Sequence, residues 1–268
     1  MAISTFIPEV WAARLTEAYQ RATIFANLCN RNYDGDIAQY GDTVHINNLA
    51  DIAVKAYTPN TDIEDPDQLT TSDRVLLIDH GAYFNFYVND VDNVQARGDL
   101  MDAAMRNAAQ KLAEDTEDYI VSKIVAEAGN KTSGAVTSTN IYETIVGLKT
   151  QLDTHNVPRA GRHLVVPPSV EGYLLMDNRF VGTGATAAEG RLASGAVARA
   201  AGFDIYVSNA VSDKMLAFVT DAVTFASQIE KVEAYRREKG FDDGVKGLSL
   251  CGAKVVIPNA ALVHTITA

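Results

Sequence analysis

The chain has 268 residues, of which 47% are hydrophobic, 34 are acidic and 23 are basic, giving a net charge of −11. That is enough apolar material for a core in one or two domains, but the acidic balance argues against wrapping nucleic-acid phosphates, which takes a Lys/Arg surface. No apolar run reaches the length of a membrane span, and MAISTFIPEVWAARL at the N-terminus lacks the features of a secretory signal, so synthesis in the cytoplasm is expected.

Residues 8–30, PEVWAARLTEAYQRATIFANLCN, read as a helical segment with Pro8 in its first turn. Trp11, Leu15, Ala18 and Ala22 line one side, with Phe25 and Leu28 slightly rotated. The segment carries too little apolar surface to stand alone and is expected to dock on its own chain or a neighbour. A polar turn zone follows to residue 43. VHINNL (44–49) and IAVKAY (52–57) read as strands, the second with period-2 alternation. Residues 58–73 form a polar tip with two prolines and the acidic residues Asp62, Glu64, Asp65, Asp67 and Asp73. RVLLIDHGAYFNFYV (74–88) returns as one or two strands. The layout is an extended β-hairpin whose polar, proline-bearing tip discourages indiscriminate edge pairing.

Residues 90–128 run almost without a helix breaker, and a helix over all of them would be about 58 Å long. Val94, Met101, Met105, Ala108, Leu112, Thr116 and Tyr119 share one side. Asn107, Gln110, Glu114, Glu117 and Asp118 fall on the other side. Past Tyr119 the apolar arc widens to Ile120, Val121, Ile124 and Val125, which predicts burial on more than one side. Gly98 weakens the run, Asp99 offers a later N-cap, and Gly129 supplies a stop. So long a helix suits a girder, although a core helix of an ordinary α/β enzyme has the same pattern.

Residues 129–140 read as a linker. IYETIVGLKTQLDTHNV (141–157) is an amphipathic helix with Ile141, Ile145, Leu148 and Leu152 on one side. HLVVPP (163–168) is a buried strand, and 169–178 a short helix capped by Ser169. Residues 181–202 form a small-residue loop with a helix expected within Ala187–Arg199. FDIYVSN (203–209) and KMLAFVT (214–220) are strands. Residues 228–239 fit helix or strand alike, and 244–263 hold two alternating runs.

Catalytic motifs are weak. GNKTSG (129–134) lacks the order of a phosphate loop, and GTGATAAEG (182–190) follows no clean strand. The acidic clusters lack calcium-loop spacing. The five histidines are scattered, no serine sits in a GxSxG elbow, and Cys29 and Cys251 read as two buried hydrophobes. No catalytic residue, cofactor or metal ligand is assigned, and the chain reads as a non-enzyme.

IPEVWAARL (7–15), YGDTVHI (40–46), FYVNDVDNVQA (86–96), NVPRAGRHLVVPP (156–168), ARAAGFDIYVSN (198–209) and GLSLCGAKVVIP (247–258) span nearly the whole chain. In this order and spacing they resemble the tailed-bacteriophage major capsid protein family with the Hong Kong 97-like fold. The resemblance implies an α+β fold with an N-arm (1–34), an extended β-hairpin E-loop (35–85), a P-domain (86–135 and 221–268, with the spine helix at about 90–128) and an α/β A-domain (136–220). It implies a virion protein that self-assembles as hexamers and pentamers into an icosahedral head shell. That shell encloses double-stranded DNA without specific binding, and its partners are scaffold, portal and decoration proteins. Trp11, Leu15, Phe25, Lys55, Asp62, Glu64, Asp65 and Asp67 become the expected subunit contacts. The arm begins close to Met1, so a separate scaffold or none is expected. Lys55 has no matched asparagine or catalytic acid, so no crosslink is expected. The alternatives are an α/β enzyme with its site in 136–220 and an encapsulin-like compartment shell.

Overall fold

A computed structural model describes residues 23–33, 41, 43–49, 54, 56–57, 59, 62, 71–89, 100–177, 198–236 and 242–267. The expected first part of the N-terminal helix, residues 8–22, lies outside them. Of its remainder only α1 (Phe25–Leu28) is helical, and the chain then extends to an isolated bridge from Asn30 to Thr224. Strands β1 (Thr43–Leu49) and β2 (Thr71–Leu77) form an antiparallel hairpin, with Thr43 opposite Leu77 and Leu49 opposite Thr71. The strand expected over 52–57 is not seen at Val54, Ala56 or Tyr57. The 74–88 region divides into the end of β2 and a separate β3 (His80–Asn89).

The long helix α2 runs Leu100–Glu127, 28 residues, or about 42 Å. The expected stretch 90–99 lies outside the described residues. Its first half packs Met105, Ala109, Leu112 and Ala113 onto Val88, Val245 and Phe86 of a sheet ordered β3-β10-β9. Strands β9 (Val223–Arg236) and β10 (Asp242–Val255) make the long ribbon of that sheet, which resolves 228–236 as strand. Its last third buries Ile120, Val121 and Ile124 in the main core, so the predicted widening of the apolar arc is present. At its end Glu127 accepts from the Val255 amide (3.0 Å) and pairs with Lys254 (2.8 Å).

Residues 129–140 are not a linker. Gly129 sits so close to the Pro258 carbonyl that a Cβ would lie 2.8 Å from the oxygen. Strand β4 (Asn130–Ala135) then pairs in parallel with β11 (Ala261–Thr267). Its sequence, NKTSGA, has no apolar alternation because it is an edge strand with half-exposed faces. The second sheet has the order β4-β11-β8-β5-β7-β6, with β5 Arg162–Val166, β6 Ala198–Ala200, β7 Phe203–Val207 and β8 Lys214–Val219. It draws strands from both sides of the expected boundaries at 135/136 and 220/221.

Helix α3 (Ile141–Thr154) buries Ile141, Ile145, Leu148 and Leu152 as its period requires, and Asn156 beyond it adopts φ +55°, an αL stop. Helix α4 (Pro168–Met176) begins earlier than expected, with Pro167 rather than Ser169 at the N-cap, since Pro168 presets the first-turn φ. Residues 187–197 of the expected helix lie outside the described residues. Ala198–Ala200 is strand, joined to β7 by Ala201 and Gly202 at φ +49° and +88°.

Arg162 is buried at the start of β5. Its guanidinium donates to the carbonyls of Pro158 (2.8 Å) and Val157 (2.6 Å) and pairs with Asp153 (2.8 Å). Arg162→Met strands buried polar groups at a cost of about 1–3 kcal/mol for each one. Urea unfolding of the variant is expected to show a lower midpoint than wild type; an unchanged midpoint would show that the knot does not stabilise the fold.

Candidate functional site

The hairpin is half in the body and half out of it. Alternation along β1 and β2 buries Val44, Ile46 and Leu76, and Ile78 just beyond, against Ala226, Leu250 and Val256. The same alternation leaves Val75 and Leu77 exposed on the other face. Farther out, Val54 is 97% exposed and Tyr57 73%. Of the sequence-predicted contact residues, Asp62 is exposed in this outer region. Trp11, Leu15, Lys55, Glu64, Asp65 and Asp67 lie outside the described residues. Phe25 is fully buried in its own chain, stacked 6.3 Å from Phe218, so it has no surface to offer a neighbour.

The hairpin enters the body at two points. Gly41, at φ +88°, donates its N–H to the Ile78 carbonyl (3.0 Å). On the other strand the Leu77 carbonyl rests on Gly252, where a Cβ would approach the oxygen to 2.4 Å. Immediately after Ile78 the chain is tied to α2. Tyr119 donates its hydroxyl to Asp79, and Lys123 pairs with the same carboxylate at 3.0 Å. The His80 Nε2 lies 2.6 Å from an oxygen of Asp115, and its ring stacks on Tyr119 with centroids 4.4 Å apart. Burial pushes the Asp79 carboxyl upward, but the Tyr119 hydroxyl and the Lys123 ammonium outweigh it and hold the group below the usual carboxylate range. Burial, then the Asp79 carboxylate, raises the Tyr119 phenol.

A second attachment lies across the helix. Glu117, expected on the polar side, is only 7% exposed. One carboxylate oxygen accepts the backbone N–H groups of Ile24 and Phe25 (3.0 Å for Phe25), and the other accepts the Ser208 hydroxyl at 3.2 Å. Ser208 Oγ in turn accepts the Ala210 amide and caps the short 3-10 turn Asn209–Val211. Burial pushes the Glu117 carboxyl up; the two amides and the hydroxyl pull it partly back, and Asp118 adds to the rise. The periodicity missed this residue because its partners lie 91 to 93 positions away.

Little else converges. Among the described residues no group of three or more His, Cys, Asp or Glu is placed to hold a metal ion. His163 bonds Thr220 (2.9 Å) and His264 bonds Thr132 (2.9 Å), and burial lowers both imidazoles. Cys29 and Cys251 are free thiols in the core, and burial raises both, Cys251 to about 12. The β3-β10-β9 sheet carries a shallow groove of about 360 Å³ lined by Tyr83, Asn85, Glu233 and Lys246.

A family model described as phage capsid protein matches residues 71–263. Among solved structures, a chain of Mycobacterium phage Che8 is 30% identical, with 90% of each chain covered and a TM-score of 0.72. A chain from the capsid structure of cyanophage P-SCSP1u is 18% identical, covering 91% of this chain and 88% of that one at TM-score 0.71. The virus-like particle from Pyrococcus furiosus is 14% identical over 94% and 96%, at TM-score 0.61. No curated protein matches the chain. The chain belongs to the phage capsid protein family, and it is a structural subunit of the phage head shell.

The raised carboxyl of Glu117 means that ionisation costs the folded state more than the unfolded one. Its contribution is fully present below the unfolded value of 4.5 and is lost as pH rises through the raised folded value. Glu117→Gln keeps an acceptor for both amides without the charge. The stability of wild type relative to Glu117→Gln, from urea unfolding, is expected to increase on acidification; a pH-independent difference would contradict the assignment. Glu117→Ala orphans both amides at about 1–3 kcal/mol each, and should expose residues 23–28 to hydrogen exchange before the rest of the core.

Proposed function

We propose that this member of the phage capsid protein family is the major capsid protein of a tailed double-stranded DNA phage, and that its hairpin is the E-loop by which one subunit grips the next. The observation that supports this most directly is the split character of the hairpin: its root is built into the body, while Val54, Tyr57, Val75 and Leu77 present apolar surface outside it. A hairpin that exposes apolar side chains beyond its root is an interaction surface in want of a partner, and in a shell the partner at hand is another copy. On this reading α2 is the spine of the P-domain, residues 1–34 are the N-arm, and the unit around α3 and α4 is the A-domain. Trp11, Leu15, Lys55, Asp62, Glu64, Asp65 and Asp67 then lie at subunit contacts.

Ring-closing heterologous contacts generate hexamers and pentamers, and the arms bind copies outside the ring. Part of the contact energy is offset by the chain entropy lost when the arms become ordered. A net charge of −11 suits an enclosure that does not grip its genome, because phosphate affinity needs clustered Lys and Arg. Scaffold, portal and decoration proteins are the further partners, and the host cytoplasm is the site of synthesis. The phage capsid family match favours this reading over the enzyme and cellular-compartment alternatives.

Deleting residues 58–70, which spares the paired residues Thr71–Asp73 of β2, is expected to give soluble, folded subunits that fail to close shells in electron micrographs; normal closed shells would refute the hairpin's role. Free subunits are also expected to leave the mobility of a double-stranded DNA fragment unchanged at physiological salt, and a salt-sensitive retardation would contradict the non-gripping interior.

A further inference from the structure

We infer that the outer edge of β4 is the berth for the hairpin tip of a second copy, with residues 60–65 of one subunit adding to Asn130–Ala135 of the next as an extra strand of its six-stranded sheet. The inference deepens the E-loop reading and rests on it. Strand β4 ends that sheet, and among the described residues no strand lies on its other side. Every second residue of a strand turns its N–H and C=O toward the same edge, so β4 presents a row of backbone donors and acceptors outward. The Ala135 carbonyl already accepts the Asn140 side-chain amide at 2.9 Å. Proteins guard such edges with proline, with several charges or with a bulge. Asn130–Ala135 has no proline and a single charge, Lys131. An edge left open in this way takes up an extended segment by strand addition.

Charge and length select the occupant. Beside β4 a polar cleft of about 410 Å³, lined by Asn130, Lys131, Thr132, Gln151, Thr154 and His155, runs to the last turn of α3. At that helix end Asp153 is shared by Lys149, Arg159 and Arg162 at 2.9, 3.5 and 2.8 Å. The negative pole of α3 takes up part of this surplus of cations, and the exposed Lys131 adds to it. In a chain of net charge −11 such a spot is an acceptor for carboxylates. Residues 60–65, NTDIED, bring Asp62, Glu64 and Asp65. They are bounded by Pro59 and Pro66, which have no N–H to give and so end a ladder. The run between the prolines is six residues, the length of β4. Alternation sets Asp62 and Glu64 on one face of an added strand, the face that meets Lys131 and the cleft.

Reach and exposure make the partner another copy. The outermost ladder pair of the hairpin is Leu49 with Thr71. Residues 50–70 beyond it, about ten to a side at about 3.3 Å each, can span about 33 Å, which is enough to cross a small domain. Within its own chain Asp62 is exposed, as are Val54 and Tyr57, so a subunit does not fill its own berth. One patch meeting a different patch on the next copy is a heterologous contact, the kind that closes rings.

The test is photocrosslinking in closed particles, with benzoylphenylalanine at position 63 of the full-length chain and an equal mixture of light and isotope-labelled heavy subunits. Mass spectrometry is expected to find position 63 joined to residues 130–135, including pairs of one light and one heavy peptide. Crosslinks that miss 130–135, or that join it only within one copy, would overturn the berth. A charge exchange gives a second reading. Lys131→Glu, at an exposed side chain, is expected to lower the yield of closed shells several-fold, and Asp62→Lys with Glu64→Lys in the same chain should restore it. An undiminished yield with Lys131→Glu would count against the berth. If deletion of 58–70 blocks closure while the crosslinks miss β4, the E-loop reading stands and this berth falls; normal closure after the deletion would remove the E-loop reading itself.

Discussion

The interaction on which the rest of the architecture depends is the grip of Glu117 on the amides of Ile24 and Phe25. A carboxylate buried midway along α2 draws a segment more than ninety residues distant onto the helix, and its second oxygen recruits Ser208 from beyond β7. Burying the charge is costly, and the donors at each oxygen offset that cost only in part, which is why the carboxyl stays raised. Asp115 and Glu117 are two residues apart, about 200° around the helix axis. The N-terminal attachment and the hairpin attachment therefore occupy opposite sides of one rod, and neither displaces the other.

The remaining surface of α2 divides along its length. Its first half lies on the β3-β10-β9 sheet through Met105, Ala109 and Leu112, while its last third is a core element packed with Phe25 and the six-stranded sheet. The apolar packing joins the rod to both sheets, and the polar contacts at Asp79 and His80 tie it to the chain just past the hairpin.

Much of this was legible where the structure is local. Ile141, Ile145, Leu148 and Leu152 announced α3 because one helix face meets one core. Ile120, Val121 and Ile124 announced burial on several sides because no single face could hold them. The hairpin was legible in part: VHINNL and the run from Arg74 supply its paired strands, but the alternating run 52–57 is not strand at Val54, Ala56 or Tyr57, and Thr71–Asp73, read as tip, belong to β2. What failed depended on distant partners. Asn130–Ala135 reads as a linker because an edge strand with half-exposed faces needs no apolar alternation, and its pairing with β11 joins residues more than a hundred positions apart. Glu117 reads as a surface residue because acid on a helix is usually solvated, and nothing near it in sequence signals the two amides it serves. Phe25 looked like an arm residue available to a neighbour, but its ring completes the core against Phe218.

The central claim is that the chain becomes a shell by keeping its helix-anchored body intact and extending its hairpin onto another copy. A cryo-electron-microscopy reconstruction of particles assembled from the purified chain, at side-chain resolution, tests this directly. The account predicts closed particles in which Glu117 still holds Ile24 and Phe25, and in which Val54 and Tyr57 contact a neighbouring subunit. Particles in which those two residues lie against their own subunit's body, or a preparation that stays monomeric at every concentration, would contradict it.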